Sequence, residues 1–436
     1  MLSLLINPII VSVILLCVLC LCRVNVLLAL MISALAGGLI GHIGVSDVMN
    51  IFIHGMGDNS ETALSYILLG AFAASMTHTG LAQILSKKIA NTIKSRKYML
   101  IFILTGIAIL SQNLIPVHIA FIPILIPPLL SVMNKLQIDR RSVACALAFG
   151  LKAPYIVIPA GFGLIFQSLI ADNMIQNGVK ILRSDIWKYT WIIGLGMLVG
   201  YLIAIFITYA KPRIYKDIKV AEIEEDTDLT LRRSHYITLV AAFLTLAIQL
   251  WTGSLPLGAL VGLSVIFGCR AIDHDKMDKL INEGVGLMGY VAFVMLVAAG
   301  FAAVMKATGG IDGLINTITP FMMSSKLLAA FLMLLVGLFI TMGIGTSFGT
   351  IPILAVLYIP IFIKLGFSVP SMIIVLSSAA ALGDAGSPAS DTTLGPTAGL
   401  NADGQHNHIW DTCVPTFLHY NIPIFLTALI SVLIFK

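Results

Sequence analysis

Apolar runs recur from one end of this chain to the other, beginning with PIIVSVILLCVLCLC at Pro8–Cys22 and ending with Thr412–Phe435. A hydrocarbon core roughly 30 Å thick asks a helix for about 20 such residues. Backbone groups inside that core must bond to one another, which makes helix the default wherever lipid surrounds the chain. With 58% hydrophobic and only 11% charged residues, the sequence departs from soluble domains, where about 25% are charged. An all-α polytopic membrane protein is expected. The amino terminus has no basic leader and no clean cleavage site, so it reads as a first span. Cys17, Cys20 and Cys22 fall inside that span, where thiols behave as small hydrophobes.

The expected spans lie near Pro8–Cys22, Val24–Ile43, Thr62–Gly80, Tyr98–Ser111, Leu114–Met133, Val143–Ala160 and Lys188–Ala210. After a polar stretch they resume near Tyr236–Trp251, Leu255–Arg270, Val285–Met305, Lys326–Met342, Ile351–Lys364, Val369–Leu382 and Thr412–Phe435. The chain thus divides into a first membrane repeat, 1–210, a linker, 211–235, and a second membrane repeat, 236–436. FAASMTHTG at Phe72–Gly80 returns as FAAVMKATG at Phe301–Gly309, 229 residues later. The same offset carries Gly55-Met-Gly57 onto Gly284-Val-Gly286 and Ile122-Pro-Ile-Leu125 onto Ile351-Pro-Ile-Leu354. Matches at one offset mark a duplicated fold.

Alternating the linkers between two sides gathers about eighteen Lys and Arg on one side and about seven on the other, and the richer side is cytoplasmic by the positive-inside rule. The linker is then cytoplasmic, and both termini lie outside a bacterial inner membrane. Asn401 is expected outside as well. Five basic residues follow the first FAA motif and only Lys326 follows the second, which turns the second repeat upside down. The short polar links SQNLIP and GIGTSFGTIP suggest re-entrant hairpins, one opening to each side. Inverted repeats with broken helices are an architecture of secondary transporters.

Gly150–Gly161 (GLKAPYIVIPAG) and Leu382–Gly399 (LGDAGSPASDTTLGPTAG) occupy equivalent places. Both interrupt an apolar helix with glycine and proline, and each holds a charge at the break: Lys152 in one, Asp384 in the other. Charges at membrane depth face partners or water. The two either pair to fix the packing of the halves or take part in transport. Asp391 with Ser387, Ser390, Thr392 and Thr393 offers hard oxygen ligands suited to Na⁺ or to a proton relay. The tips Ser111-Gln112-Asn113 and Thr346, Ser347 and Thr350 supply neutral donors and acceptors for a solute. The absence of HxxxH and HExxH spacings leaves no metal site beyond Na⁺ at Asp384 and Asp391, and no GxxxxGK[ST] loop points to an ATP-driven pump. Asp58-Asn-Ser-Glu61 reads as a helix cap.

Gly383-Asp384, Ser387-Pro388 and Ser390-Asp391-Thr392-Thr393 resemble the GDxxSPxSDTT signature of the NhaC-type Na⁺/H⁺ antiporter family, and GTSFGTIPIL resembles its second hairpin motif. The continuation GPTAGLNADGQHNHIWDTCVPTF is similar to a YuiF-like branch classed provisionally as amino acid permeases. The resemblance implies paired hairpins and ion-coupled transport. Ala385, Gly386 and Ala389 are smaller than the residues of established antiporters, which leaves room for an organic solute.

The expectation is therefore a secondary transporter, not an enzyme, that takes up a small carboxylate-bearing solute such as an amino acid with Na⁺ or H⁺; the alternative is Na⁺/H⁺ exchange. A channel would need a ring of charges or a symmetric pore, and an enzyme a nucleophile with its base. No cofactor is expected. The partners are the bilayer and the solute, with a homodimer left open, and basic loops account for the net charge of +5 without nucleic acid.

Overall fold

A computed structural model describes residues 7–22, 24–80, 96–113, 122, 125–216, 218, 232–310, 325–344, 346–388 and 390–435. Among these the chain is helical, without strands. The first half gives α1 (Pro8–Leu21), α2 (Val26–Ile40), α3 (Val45–Met56), α4 (Ser60–His78), α5 (Lys97–Asn113), α6 (Leu130–Lys135), α7 (Arg140–Val157), α8 (Phe162–Gln176) and α9 (Trp187–Ile203). The second gives α10 (Arg233–Thr252), α11 (Leu255–Gly268), α12 (Met277–Ala307), α13 (Lys326–Ile344), α14 (Ser347–Lys364), α15 (Val369–Ala381), α16 (Asp391–Leu400) and α17 (Ile422–Ile434). Five helical stretches among the described residues are long and apolar enough to cross a membrane, and α7 with α8, bent by 46° at their break, would make a sixth.

Several boundaries differ from the sequence reading. Val45–Met56 is helical, and so is Phe162–Gln176, both outside the expected spans. α12 runs for 31 residues, with Leu287 and Met288 where its counterpart, divided into α3 and α4 at Gly57–Asn59, has Asp58 and Asn59. Residues 114–121 and 123–124 of the expected span Leu114–Met133 lie outside the described residues, as does most of the linker.

The 229-residue offset holds for the helix bounds themselves. α5 begins at Lys97 and α13 at Lys326, α7 at Arg140 and α15 at Val369, α8 at Phe162 and α16 at Asp391. α6 and α14 end at Lys135 and Lys364, and α4 and α12 at His78 and Ala307.

Contacts fix how these elements face one another. α4 crosses α12 antiparallel: Asn59 Nδ2 donates to Met295 O at 3.0 Å, and at Gly70 an added Cβ would come within 2.6 Å of Gly284 O. Small residues are what let two membrane helices approach this closely. At the end of α4, Thr79 O bonds His235 Nε2 at the start of α10. At the far end of α12, Gly310 O accepts from Asn7 Nδ2 at 2.7 Å. Asn7 therefore lies on the face opposite the linker. The chain's other end lies there too, because α9 and α17 also run antiparallel: Thr208 bonds His419 at 2.9 Å on the linker side, and Tyr189 stacks edge-on against Phe435 on the other.

Two helical pairs turn back on themselves. Lys97 Nζ donates to Ala210 O at 2.7 Å, while Asn134 donates to Lys216 O at 3.4 Å, so α5 starts and α6 ends at the linker face. Lys326 Nζ donates to Gly366 O at 2.5 Å, and Tyr358 OH donates to Met333 O; α13 and α14 thus start and end at the opposite face. Asn401, expected outside, sits with the linker instead. It accepts from His406 N in a segment held by Arg140, whose guanidinium grips Asp403 at 2.6 Å and Leu400 O at 3.0 Å.

Candidate functional site

The two helix breaks and the α13–α14 tip meet at one buried carboxylate. α7 ends at Val157 and α8 restarts after Gly161 at φ 56°. α15 ends at Ala381, and the chain passes through Gly383 at φ 83° and Gly386 at φ 110° before α16. These left-handed angles are accessible to glycine without steric cost. A Cβ at Gly386 would in addition come within 2.8 Å of the Phe417 backbone. Polar side chains brace the freed backbone. Asn421 accepts from Gly383 N at 3.2 Å and donates to Ala385 O at 3.0 Å, and Gln167 donates to Ile156 O at 3.1 Å.

Asp384 is 3% exposed and Lys152 is fully buried. Lys152 Nζ stands 2.7 Å from Asp384 Oδ2. The same oxygen accepts from Ser347 Oγ at 2.6 Å and Tyr155 OH at 3.1 Å, and Oδ1 accepts from Ser390 Oγ. Lys152 also donates to Tyr155 OH at 3.0 Å and Ser347 Oγ at 3.3 Å. Ser347 opens α14 behind Thr346, with no side chain capping its amides. The positive end of that helix dipole therefore favours the carboxylate.

A second set of oxygens surrounds Ser390. Its Oγ lies 3.4 Å from Asp391 Oδ1 and 2.8 Å from Thr392 Oγ1, and Thr392 Oγ1 reaches Asp384 O at 3.4 Å. Asp391 is exposed at the first turn of α16. Thr393 Oγ1 ties the loop by donating to Ser387 O at 2.6 Å. Carboxylate, hydroxyl and carbonyl oxygens grouped in this way suit a hard cation, while a carboxylate tied to hydroxyls suits a proton.

Lys152, Ser347, Asp384, Ser390, Asp391 and Thr392 are thus brought together. Thr350 Oγ1 donates to Thr346 O within α14 at 2.8 Å, and Ser111 Oγ donates to Ala108 O at 2.9 Å. Gln112 is buried with Oε1 unpartnered among the described residues. Asn113 ends α5, and the residues after it lie outside the described set. Tyr155, Asn421 and Tyr66 were not anticipated. Tyr66, its hydroxyl buried and without a partner among the described residues, packs with Phe162 at 5.3 Å and Phe348 at 5.8 Å between ring centroids. A Tyr three residues after Lys152 on one helix face, and an Asn in an apolar helix, were the available signals.

Residues 145–431 match a family model described as Na⁺/H⁺ antiporter family, and residues 7–93 match a second described as Na⁺-H⁺ antiporter family. An uncharacterized membrane protein of Vibrio parahaemolyticus is 45% identical over 440 residues, 98% of this chain and all of its own. YuiF of Bacillus subtilis, whose name assigns it provisionally to amino acid transport, is 47% identical over 446 residues, again 98% of this chain and all of its own. Among solved structures, the Alcanivorax borkumensis YdaH transporter aligns with a TM-score of 0.58 at 15% identity, covering 89% of this chain and 88% of its own. Neisseria gonorrhoeae MtrF, reported with a class of antimetabolite efflux pumps, aligns with a TM-score of 0.58 at 14% identity, covering 90% and 84%. At such identities the likeness is one of fold.

Proposed function

The chain belongs to the Na⁺/H⁺ antiporter family and is a secondary transporter of the membrane, and on that premise we propose that it takes up a small carboxylate-bearing solute, an amino acid, with Na⁺ or H⁺. The observation that carries this reading is the buried Lys152–Asp384 pair at the meeting point of two helix breaks and a tip. A cation or proton arriving at Asp384, with Ser390, Thr392 and Asp391 as further oxygens, releases Lys152. The freed ammonium then holds the solute's carboxylate, with Ser347 and Tyr155 as hydroxyl donors. Ser111, Gln112, Asn113, Thr346 and Thr350 complete the solute's surroundings from the two tips. Coupling follows because an unpaired buried charge of either sign is costly.

The common helix offset and the antiparallel pairing of α4 with α12 and of α9 with α17 support two inverted repeats, 1–210 and 236–436. The basic linker supports a cytoplasmic position for that face, with both termini outside an inner membrane. The name borne by YuiF favours an amino acid.

The test is uptake of labelled amino acids into proteoliposomes under an imposed Na⁺ or pH gradient, with the wild-type chain and Lys152→Met. Uptake that requires the gradient and fails in the variant supports the proposal. A second reading, plain Na⁺/H⁺ exchange, is favoured by the direct bridge, which gives Lys152 a use without any solute. Robust Na⁺-driven proton movement in solute-free vesicles would establish that reading instead.

A further inference from the structure

On the face that carries Asn7 and Phe435, a cavity of about 410 Å³ opens between the α3–α4 junction, α8, α12 and α14. Its volume is that of a small-molecule site, about 300–1,000 Å³. The α12 wall is made of alanines, Ala299, Ala302, Ala303 and Ala307, whose short side chains leave the space. Ala307 and Asp58 are exposed, so the cavity reaches the surface. Pro352 also lines the cavity, five residues on from Ser347 and so about 7.5 Å along α14 at the helical rise. Between them Phe348 packs against Tyr155 at 5.2 Å and Phe162 at 6.1 Å between ring centroids. Along α14 the cavity wall at Pro352 is thus followed by the ring cluster of Phe348, Tyr155 and Phe162, and Tyr155 belongs to the buried centre.

Two opposite charges line this space, Asp58 and Lys306. Among the described residues neither side chain forms an ion pair or hydrogen bond, although each feels the other's charge. A simple carboxylate would gain from Lys306 but meet Asp58, and a simple cation would gain from Asp58 but meet Lys306. A molecule bearing both an ammonium and a carboxylate complements both charges at once.

We propose that this cavity is an antechamber that binds the zwitterion of an α-amino acid, Lys306 holding its carboxylate and Asp58 its ammonium, before the solute passes Phe348 to the Lys152–Asp384 centre. The inference rests on the reading of the chain as an amino acid carrier.

The experiment measures uptake of a labelled amino acid into proteoliposomes by the full chain, by Asp58→Asn and by Lys306→Gln, with the decarboxylated amine and the deaminated acid of that amino acid as competitors. Each substitution should raise the half-saturating concentration by about tenfold and leave the maximal rate near wild type. The competitors should part company: the amine competes better in Lys306→Gln, where a lone acid remains, and the acid competes better in Asp58→Asn. Unchanged half-saturation and competitor order in both variants would overturn the antechamber while uptake by the wild type keeps the transport reading intact. Absence of amino acid uptake by the wild type would overturn the transport reading, and the antechamber with it. Should either variant fail to fold, Ala307→Cys with both charges intact decides. Its labelling by an impermeant thiol reagent, above the background of Cys22 and Cys269, should be slowed by the amino acid, and labelling indifferent to it refutes the site.

Discussion

Removing Lys152 strands a carboxylate that is only 3% exposed. At 2.7 Å and an effective dielectric of about 20, the gross attraction of the pair is about 6 kcal/mol, against which both groups give up their hydration. Breaking such a pair from one side costs about 3–5 kcal/mol. Three hydroxyls remain on Asp384 after Lys152→Met, from Ser347, Tyr155 and Ser390, which places the loss near the lower end of that range. Asp384→Asn leaves the Lys152 ammonium without a counter-charge, among the described residues held by the neutral groups of Tyr155 and Ser347 and the new amide, and falls nearer the upper end. The double variant Lys152→Met/Asp384→Asn has no buried charge at this place, so its cost should be smaller than the sum of the single costs by about 2 kcal/mol or more. Denaturant or thermal unfolding in detergent, followed by tryptophan fluorescence, measures all four corners of the cycle. Strict additivity would mean that the two side chains are not coupled, and the pair could not then act as the hinge between ion and solute.

Other consequences can be checked alongside. Gly386→Ala should unfold the loop before α16, because φ 110° is strained for alanine and its Cβ meets Phe417; a melting temperature equal to wild type would refute the assignment. Asn421→Leu should leave Gly383 N and Ala385 O without their partners at about 1–3 kcal/mol, read as a lowered unfolding midpoint. On the linker face, burial pushes the His406 imidazole down from its usual 6.5 to about 4. Its folded value lies below the unfolded one, so stability is complete above pH 6.5 and falls as pH drops from there toward 4. The protection of 401–407 against hydrogen exchange, taken relative to the intrinsic rate at each pH, should fall through that window in the wild type and show no such step in His406→Gln.

What sequence alone could reveal here was what is local or periodic. The offset seen in FAASMTHTG and FAAVMKATG returns in several helix bounds, at Lys97 and Lys326, Arg140 and Val369, and Phe162 and Asp391. Lys152 and Asp384 stood out because ionisable groups are rare in apolar segments. Phe162–Gln176 was missed since it carries Gln167, Asp172 and Asn173, which dilute its apolar signal, and Gln167 proves to serve the neighbouring break. Arg140 looked like one more basic loop residue, and its lock on Asp403 joins positions 263 residues apart, beyond any local pattern. Asp58 read as a helix cap, and only the packing of α12 beside it turned it toward a cavity.

The Lys152–Asp384 pair has a consequence for electrical behaviour. Moving one elementary charge through a membrane potential of 100 mV is worth about 2.3 kcal/mol. Two opposite charges held 2.7 Å apart and carried together cancel almost all of that work. A carrier returning with this pair closed is therefore nearly blind to voltage at its centre. In the proposed uptake of a zwitterion with one cation, the loaded centre carries one net positive charge. Under that proposal the membrane potential acts on the loaded step alone.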